Sequence, residues 1–320
     1  MPTPGGVRLL ELQERGFNPR YVVADAGNAL RAGLAEVFPD VCCRSDVFHA
    51  LMEVQEVVTN LENRAYEVMT IYADLVRKIA RRKQQGQYPN RLWIQQRIDA
   101  TKKQAQTIAL ADDVALLTRW LHYDVLGLAG PTHADRLALY DFIVAELKAR
   151  APQAQHLLGP LVTYLKGQRD NLLAFAAQLD ADFAALAATF AIAPEHIRAL
   201  FGVQTLAIDS SQRWRRAAPL RCLLGDRYFP LSQALDAVRR RTVRASSLVE
   251  NYNSRLRSYF FLRRHLGNAY LALLQFFLNH RRYLRSECPE RVGKSPAELL
   301  TGQRHSHWLE LLGFTRFSRS

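Results

Sequence analysis

The sequence predicts a mainly α protein with a small α/β part near its amino end, and three observations carry that prediction. From Asp46 onward apolar residues recur at helical spacing for nearly two hundred residues, beginning Val47, Leu51, Val54, Val58 and Leu61. Two short runs, residues 21–24 and 41–44, read instead as strands framed by short helices. Pro89, Gly130 with Pro131, Pro152 and Pro230 then cut the helical stretch into segments of ordinary length.

Taken in order, VRLLELQERG is a short amphipathic helix ended by Gly16. RYVVADAG is a buried strand that delivers Asp25 at its carboxyl end, just before Gly27. Residues 28–38 form a helix stopped by Pro39, and residues 41–44 form the second strand. Helix, strand, helix, strand with short connections describes part of a parallel α/β sheet, where ligands gather at the carboxyl ends of strands. Asp25 occupies such an end; taken alone, it also suits a turn. Ser45 and Asp46 read as the N-cap of a long helix running into the eighties. Further helices are expected at 91–120, 134–148, 155–166, 171–190, 194–201 and 231–241. After the segment around Glu250 come a helix at 268–285 and a proline-led helix at 295–300. Residues 194–210 hold a helix, a glycine and a second apolar run, a pattern of core packing that a helix-turn-helix also shares.

The chain has 320 residues and a formal net charge of +13, all of which sits in one segment. Residues 213–304 contain 19 Lys or Arg and 6 Asp or Glu, a net of 19 − 6 = +13, so the remainder balances at 24 against 24. Such a segment suits a polyanion. Lys294 is its sole lysine, and arginine favours bidentate contacts with phosphate. Cys42, Cys43, Cys222 and Cys288 form no CxxC pair, which together with a start lacking a secretory pattern leads to the expectation of a reducing cytoplasm. No uninterrupted apolar run approaches the ~20 residues of a membrane span, so no membrane partner is expected.

Within the basic segment, SSLVENYNSRLR places Glu250, Asn253, Ser254 and Arg257 at i, i+3, i+4 and i+7 of one helical face. The apolar residues Val249, Tyr252, Leu256, Phe260 and Phe261 fall on an offset stripe. A carboxylate there can hold a divalent metal, and an arginine two turns on can grip the phosphate that metal activates. A solvated helix with an incidental charge pair has the same spacing.

The stretches SSLVENYNSRLRSYFFLRRHLG, LLQFFLNHRRYLR, GKSPAELLTG and WLELLG resemble the carboxyl-terminal region of bacterial insertion-sequence transposases of the DDE class. The front part, YVVADAGNALRAGLAEVFPDVCCRSDVFHAL, is similar to the second-aspartate region of the Mutator-like branch. In that branch a helical insertion separates the last strand from the helix bearing the third acid. The resemblance implies a partial ribonuclease H-like domain, with 1–48 as its second-aspartate segment and 49–240 as the helical insertion. Residues 241–285 would complete the core, and 286–320 would form a tail.

By the same resemblance Asp25 matches the second catalytic aspartate, Glu250 the catalytic glutamate and Arg257 the basic residue that follows it. Asp46 is the rival to Asp25, and with His49 it stands where relatives carry a Cys-x-x-His pair. Asn253, Arg257, Arg263, Arg264, Arg215 and Arg216 are candidate contacts to double-stranded DNA, at transposon ends and target. Self-association is also expected. The implied cofactor is Mg²⁺ (or Mn²⁺) held by Asp25 and Glu250, provided the family's first aspartate is supplied. No aspartate precedes Asp25 here, so the expectation is a 5′-truncated, inactive form or a start assigned too late. The alternative is a non-catalytic DNA-binding fragment or regulator of transposition.

Overall fold

Two four-residue strands, β1 (Tyr21–Ala24) and β2 (Cys42–Ser45), pair in parallel with Tyr21 opposite Cys42 and Ala24 opposite Ser45. Parallel neighbours need a crossover, and α2 (Asn28–Val37) supplies it, with α1 (Pro4–Glu14) packed against α2. The computed structural model describes residues 4–25, 27–88, 90–245, 254, 257, 267–286 and 288–315. They belong to two compact units, residues 1–246 and 247–320. The described residues are mainly helical around this small parallel sheet, as the periodicity predicts.

In the first unit, Asp46 caps α3 (Val47–Gln84), whose last turn carries Arg81, Arg82 and Lys83 against the negative end of the helix dipole. Gly86, at φ +68°, breaks it, and the Asn90 side chain caps α4 (Arg91–Trp120) to complete a helical hairpin. A π-helical turn at Leu121–Val125 leads to α5 (His133–Arg150). Then follow α6 (Gln155–Phe190), α7 (Pro194–Gln204), α8 (Ser211–Leu224) and α9 (Tyr228–Arg241). The core threads Val54, Val58 and Leu61 of α3, Val114 and Leu117 of α4, and Leu158, Leu165 and Leu172 of α6.

Several sequence readings are corrected. Residues 155–166 and 171–190 are one helix, because burial of Leu165, Leu172 and Leu173, worth ~1.5–3 kcal/mol each, outweighs the ~1 kcal/mol that Gly167 costs a helix. By length and composition α6 could span a membrane, although these side chains lie in the core. The second strand is shifted by one residue, to 42–45, and Cys42 is exposed. Helix α8 was not expected at all, since its arginines and Pro219 give no apolar stripe. The apolar run after α7 is a loop, and Ile197, Leu200 and Phe201 of α7 are core.

Arg136 is the largest fully buried side chain among the described residues. Its guanidinium donates to the carbonyls of Val125 (2.5 Å), Gly127 (2.6 Å) and Pro131 (3.0 Å), closing the loop after the π-helical turn. Burial, and then the nearby charges of Arg198 and Arg244, bring its pKa down to about 10.

The second unit carries α10 (Asn268–His280), α11 (Pro296–Thr301) and α12 (Trp308–Leu311). The expected helix at 268–285 ends at His280, because Tyr283 turns to exchange backbone hydrogen bonds with Gly293 and Lys294. In GKSPAELLTG each signal residue has a local structural task. Ser295 and Glu298 form a capping box, Pro296 opens the helix and Gly302, at φ +70°, ends it. Arg282 reaches the Glu298 carboxylate (3.0 Å) and the His305 carbonyl (2.9 Å), and Trp308 meets Phe277 edge to face.

Candidate functional site

The carboxyl edge of the sheet presents Asp25 and Asp46 on adjacent strands, each one residue beyond the paired Ala24 and Ser45. The Asp46 N–H donates to the Ala24 carbonyl (2.9 Å). Their side chains differ in employment. Asp25 is exposed, and its Oδ1 accepts only from the Gly27 N–H (3.0 Å) among the described residues. Asp46 is buried, and its Oδ1 accepts from the N–H groups of Phe48 and His49 (2.8 and 3.2 Å) while Oδ2 stands 3.4 Å from His49 Nδ1. Asp46 therefore works as the cap of α3, whereas Asp25 turns a carboxylate outward.

A cation secures this edge. Arg31, one turn into α2, donates from Nε to the Asp25 carbonyl (2.9 Å) and from Nη2 to Ser45 Oγ (2.9 Å). Ser45 in turn donates to Gln168 Oε1 on α6 (2.5 Å). Tyr164, one turn before Gln168, is half-buried beside the same edge. Burial raises its phenol pKa, the Glu53 charge raises it further, Arg31 opposes, and Asp46 and Asp25 add smaller contributions.

After α9 the chain returns to this place. The Tyr21 hydroxyl donates to the Arg241 carbonyl (2.6 Å) and accepts from the Val243 N–H (3.1 Å). The Arg244 carbonyl then accepts from the N–H of Val47, the residue after Asp46 (2.9 Å). Arg244 itself donates to the Leu126 carbonyl and lies 5.3 Å from the Phe175 ring centre; burial lowers its pKa.

A second arrangement is basic. On α8 only Leu224 is buried, while Trp214, Arg215, Arg216 and Arg221 are exposed. Arg213 of α8 and Arg239 and Arg240 of α9 line one open cleft of about 680 Å³. Asp236 holds the latter two at 2.6 and 2.9 Å, so Arg215 and Arg216 are the more available cations.

Comparison with protein-family models, curated proteins and solved structures found no match. The assignment of roles therefore rests on the geometry and on the residue patterns. Of the sequence-derived candidates, Glu250, Asn253, Arg263 and Arg264 lie outside the described residues. Arg257 is helical and exposed, and Arg215 and Arg216 are exposed on α8. The fit to Mg²⁺ rests on Asp25 alone, which leaves one carboxylate oxygen open. Among the described residues no three His, Cys, Asp or Glu side chains gather to hold an ion, so these residues do not themselves make the two-metal site the resemblance implies. Sequence reasoning missed Arg31, Ser45, Tyr164 and Gln168. The i, i+4 pair Tyr164 and Gln168 on a core helix was the available signal for the last two.

Proposed function

We propose that the chain is a DDE-transposase-type protein that binds double-stranded DNA. The observation that carries this reading is the return of the chain at Arg244 to the strand edge that presents Asp25. A ribonuclease H-like domain with a helical insertion requires such a return, because the insertion must hand the chain back to the sheet before the helix with the third acid. In this reading Asp25 and Glu250 are the second and third of three acidic positions. Mg²⁺ would need the first carboxylate as well.

DNA affinity rests on the arginines, since phosphate neutralisation provides most sequence-independent binding. The test is fluorescence anisotropy of a labelled duplex of about thirty base pairs across a salt series. Binding is expected, with log affinity falling linearly with log salt, and Arg215→Gln with Arg216→Gln should reduce the slope by up to about 1.8. Failure to bind duplex at low salt would sink the reading.

A further inference from the structure

The α3–α4 hairpin is electrostatically divided along its length. Its root, residues 46–67 with 104–120, carries seven acidic residues and two basic, a net of 2 − 7 = −5. Its outer part, residues 75–103, carries nine basic residues and Asp99 alone as an acid, a net of 9 − 1 = +8. The core of the first unit follows α3 only to Ala65 and begins again on α4 near Leu110. Beyond that, Val68 and Ile79 of α3 and Ala100 of α4 are buried, and the cations are almost all exposed. Among the described residues Arg77 is the one of the nine that a carboxylate holds, Asp74 at 2.8 Å. Arg77 with Arg81 and Lys78 with Arg82 are like charges at i, i+4, an unfavourable choice for a helix that only needs to be solvated.

We propose that this outer part of the hairpin is a phosphate-backbone contact for double-stranded nucleic acid, additional to α8. The proposal rests on the DNA-binding reading above and assigns a further surface to it. The cations of α4 run from Arg91 to Lys103, on the order of 18 Å along the helix axis, with Arg91 and Lys102 on one face and Arg97 and Lys103 on the others. Charge along the sides of a rod suits a duplex backbone. An anionic lipid surface would instead call for a continuous apolar face opposite the basic one. Here Leu92 and Ile98, exposed on α4, are six residues apart and point to different sides.

The experiment uses the full chain, the same labelled duplex and a salt series. The hairpin variant carries Gln at Lys78, Arg81, Lys83, Lys102 and Lys103, and the milder variant only Lys102→Gln with Lys103→Gln. Circular dichroism establishes that each is folded. The proposal expects the salt slope to fall by at least two and up to about 4.5 in the first variant and by up to about 1.8 in the second. An unchanged slope in the folded milder variant overturns it, even if the five-site variant does not fold. So does tighter binding of the wild type to phosphatidylserine vesicles than to duplex, lost in the hairpin variant. Loss in the hairpin variant with full retention in the Arg215/Arg216 variant upholds the hairpin and removes α8. A wild type that binds no duplex at low salt removes both, whereas wild-type binding with a neutral hairpin removes this proposal alone.

Discussion

Asp25 and Asp46 leave adjacent strands at matching positions, yet Asp25 faces outward while Asp46 is buried as the cap of α3. A cap accepting two backbone N–H bonds is worth about 1–2 kcal/mol, whereas an exposed aspartate away from the core changes stability by about 0.5 kcal/mol or less. Asp46→Ala should therefore lower the urea midpoint clearly, and Asp25→Asn should leave it nearly in place. Equal losses would mean that the two acids are not divided between capping and display.

Arg136 holds the Val125 and Gly127 carbonyls and shares the Pro131 carbonyl with Arg198, which donates to it at 3.1 Å. Each buried acceptor left unsatisfied costs about 1–3 kcal/mol, so with two of them Arg136→Met should cost about 2 kcal/mol or more and lower Tm by about 4 °C or more. Gly127→Ala should destabilise the same loop, because a Cβ there would stand 2.3 Å from the Tyr123 carbonyl oxygen. A Tm within about 2 °C of wild type for Arg136→Met would show that this loop does not depend on the guanidinium.

Glu298 gives the second unit a pH dependence of defined sign. Burial alone would raise its pKa, but the N–H groups of Ser295 and His305 and the Arg282 guanidinium outweigh it and hold the pKa at about 2, below the usual 4.5. The unfolded chain therefore binds the proton first. The stabilisation is fully present above about pH 4.5 and is lost as pH falls through 2. Fluorescence of Trp308, which rests on Phe277 in this unit, should report a denaturant midpoint that falls below pH 4.5. Glu298→Gln should flatten that window, and a midpoint rising on acidification would contradict the assignment.

How legible these features were depends on which physical signal each one leaves. The strand at Tyr21–Ala24 and helix Arg91–Trp120 were readable because β-favouring and 3.6-residue patterns mark them directly. Helix α8 left no such mark, since its surface is polar almost all round. The hairpin's basic end was hidden by arithmetic. A balance of 24 against 24 outside residues 213–304 is true of the sum and conceals −5 at one end of the rod and +8 at the other. Arg136 was unreadable in principle, because an arginine in a helix reads as solvated until the carbonyls around it are known.

Arginine-borne binding and metal-bridged binding of DNA respond to different solution conditions. If the chain grips DNA through guanidinium and ammonium groups, each phosphate neutralised releases counterions, and affinity depends on salt but not on divalent metal. With four phosphates neutralised the slope is near −3.6, so raising salt from 50 to 200 mM should weaken duplex binding by about a hundredfold. Adding EDTA at constant ionic strength should leave Kd within about twofold, because guanidinium and ammonium groups grip phosphate without a bridging cation. Glu250→Gln should likewise leave affinity unchanged or slightly tighter, since it removes a negative charge from a segment of net +13. A large loss of affinity on chelation, restored by Mg²⁺ and absent in Glu250→Gln, would instead place a metal ion between the acids and the DNA.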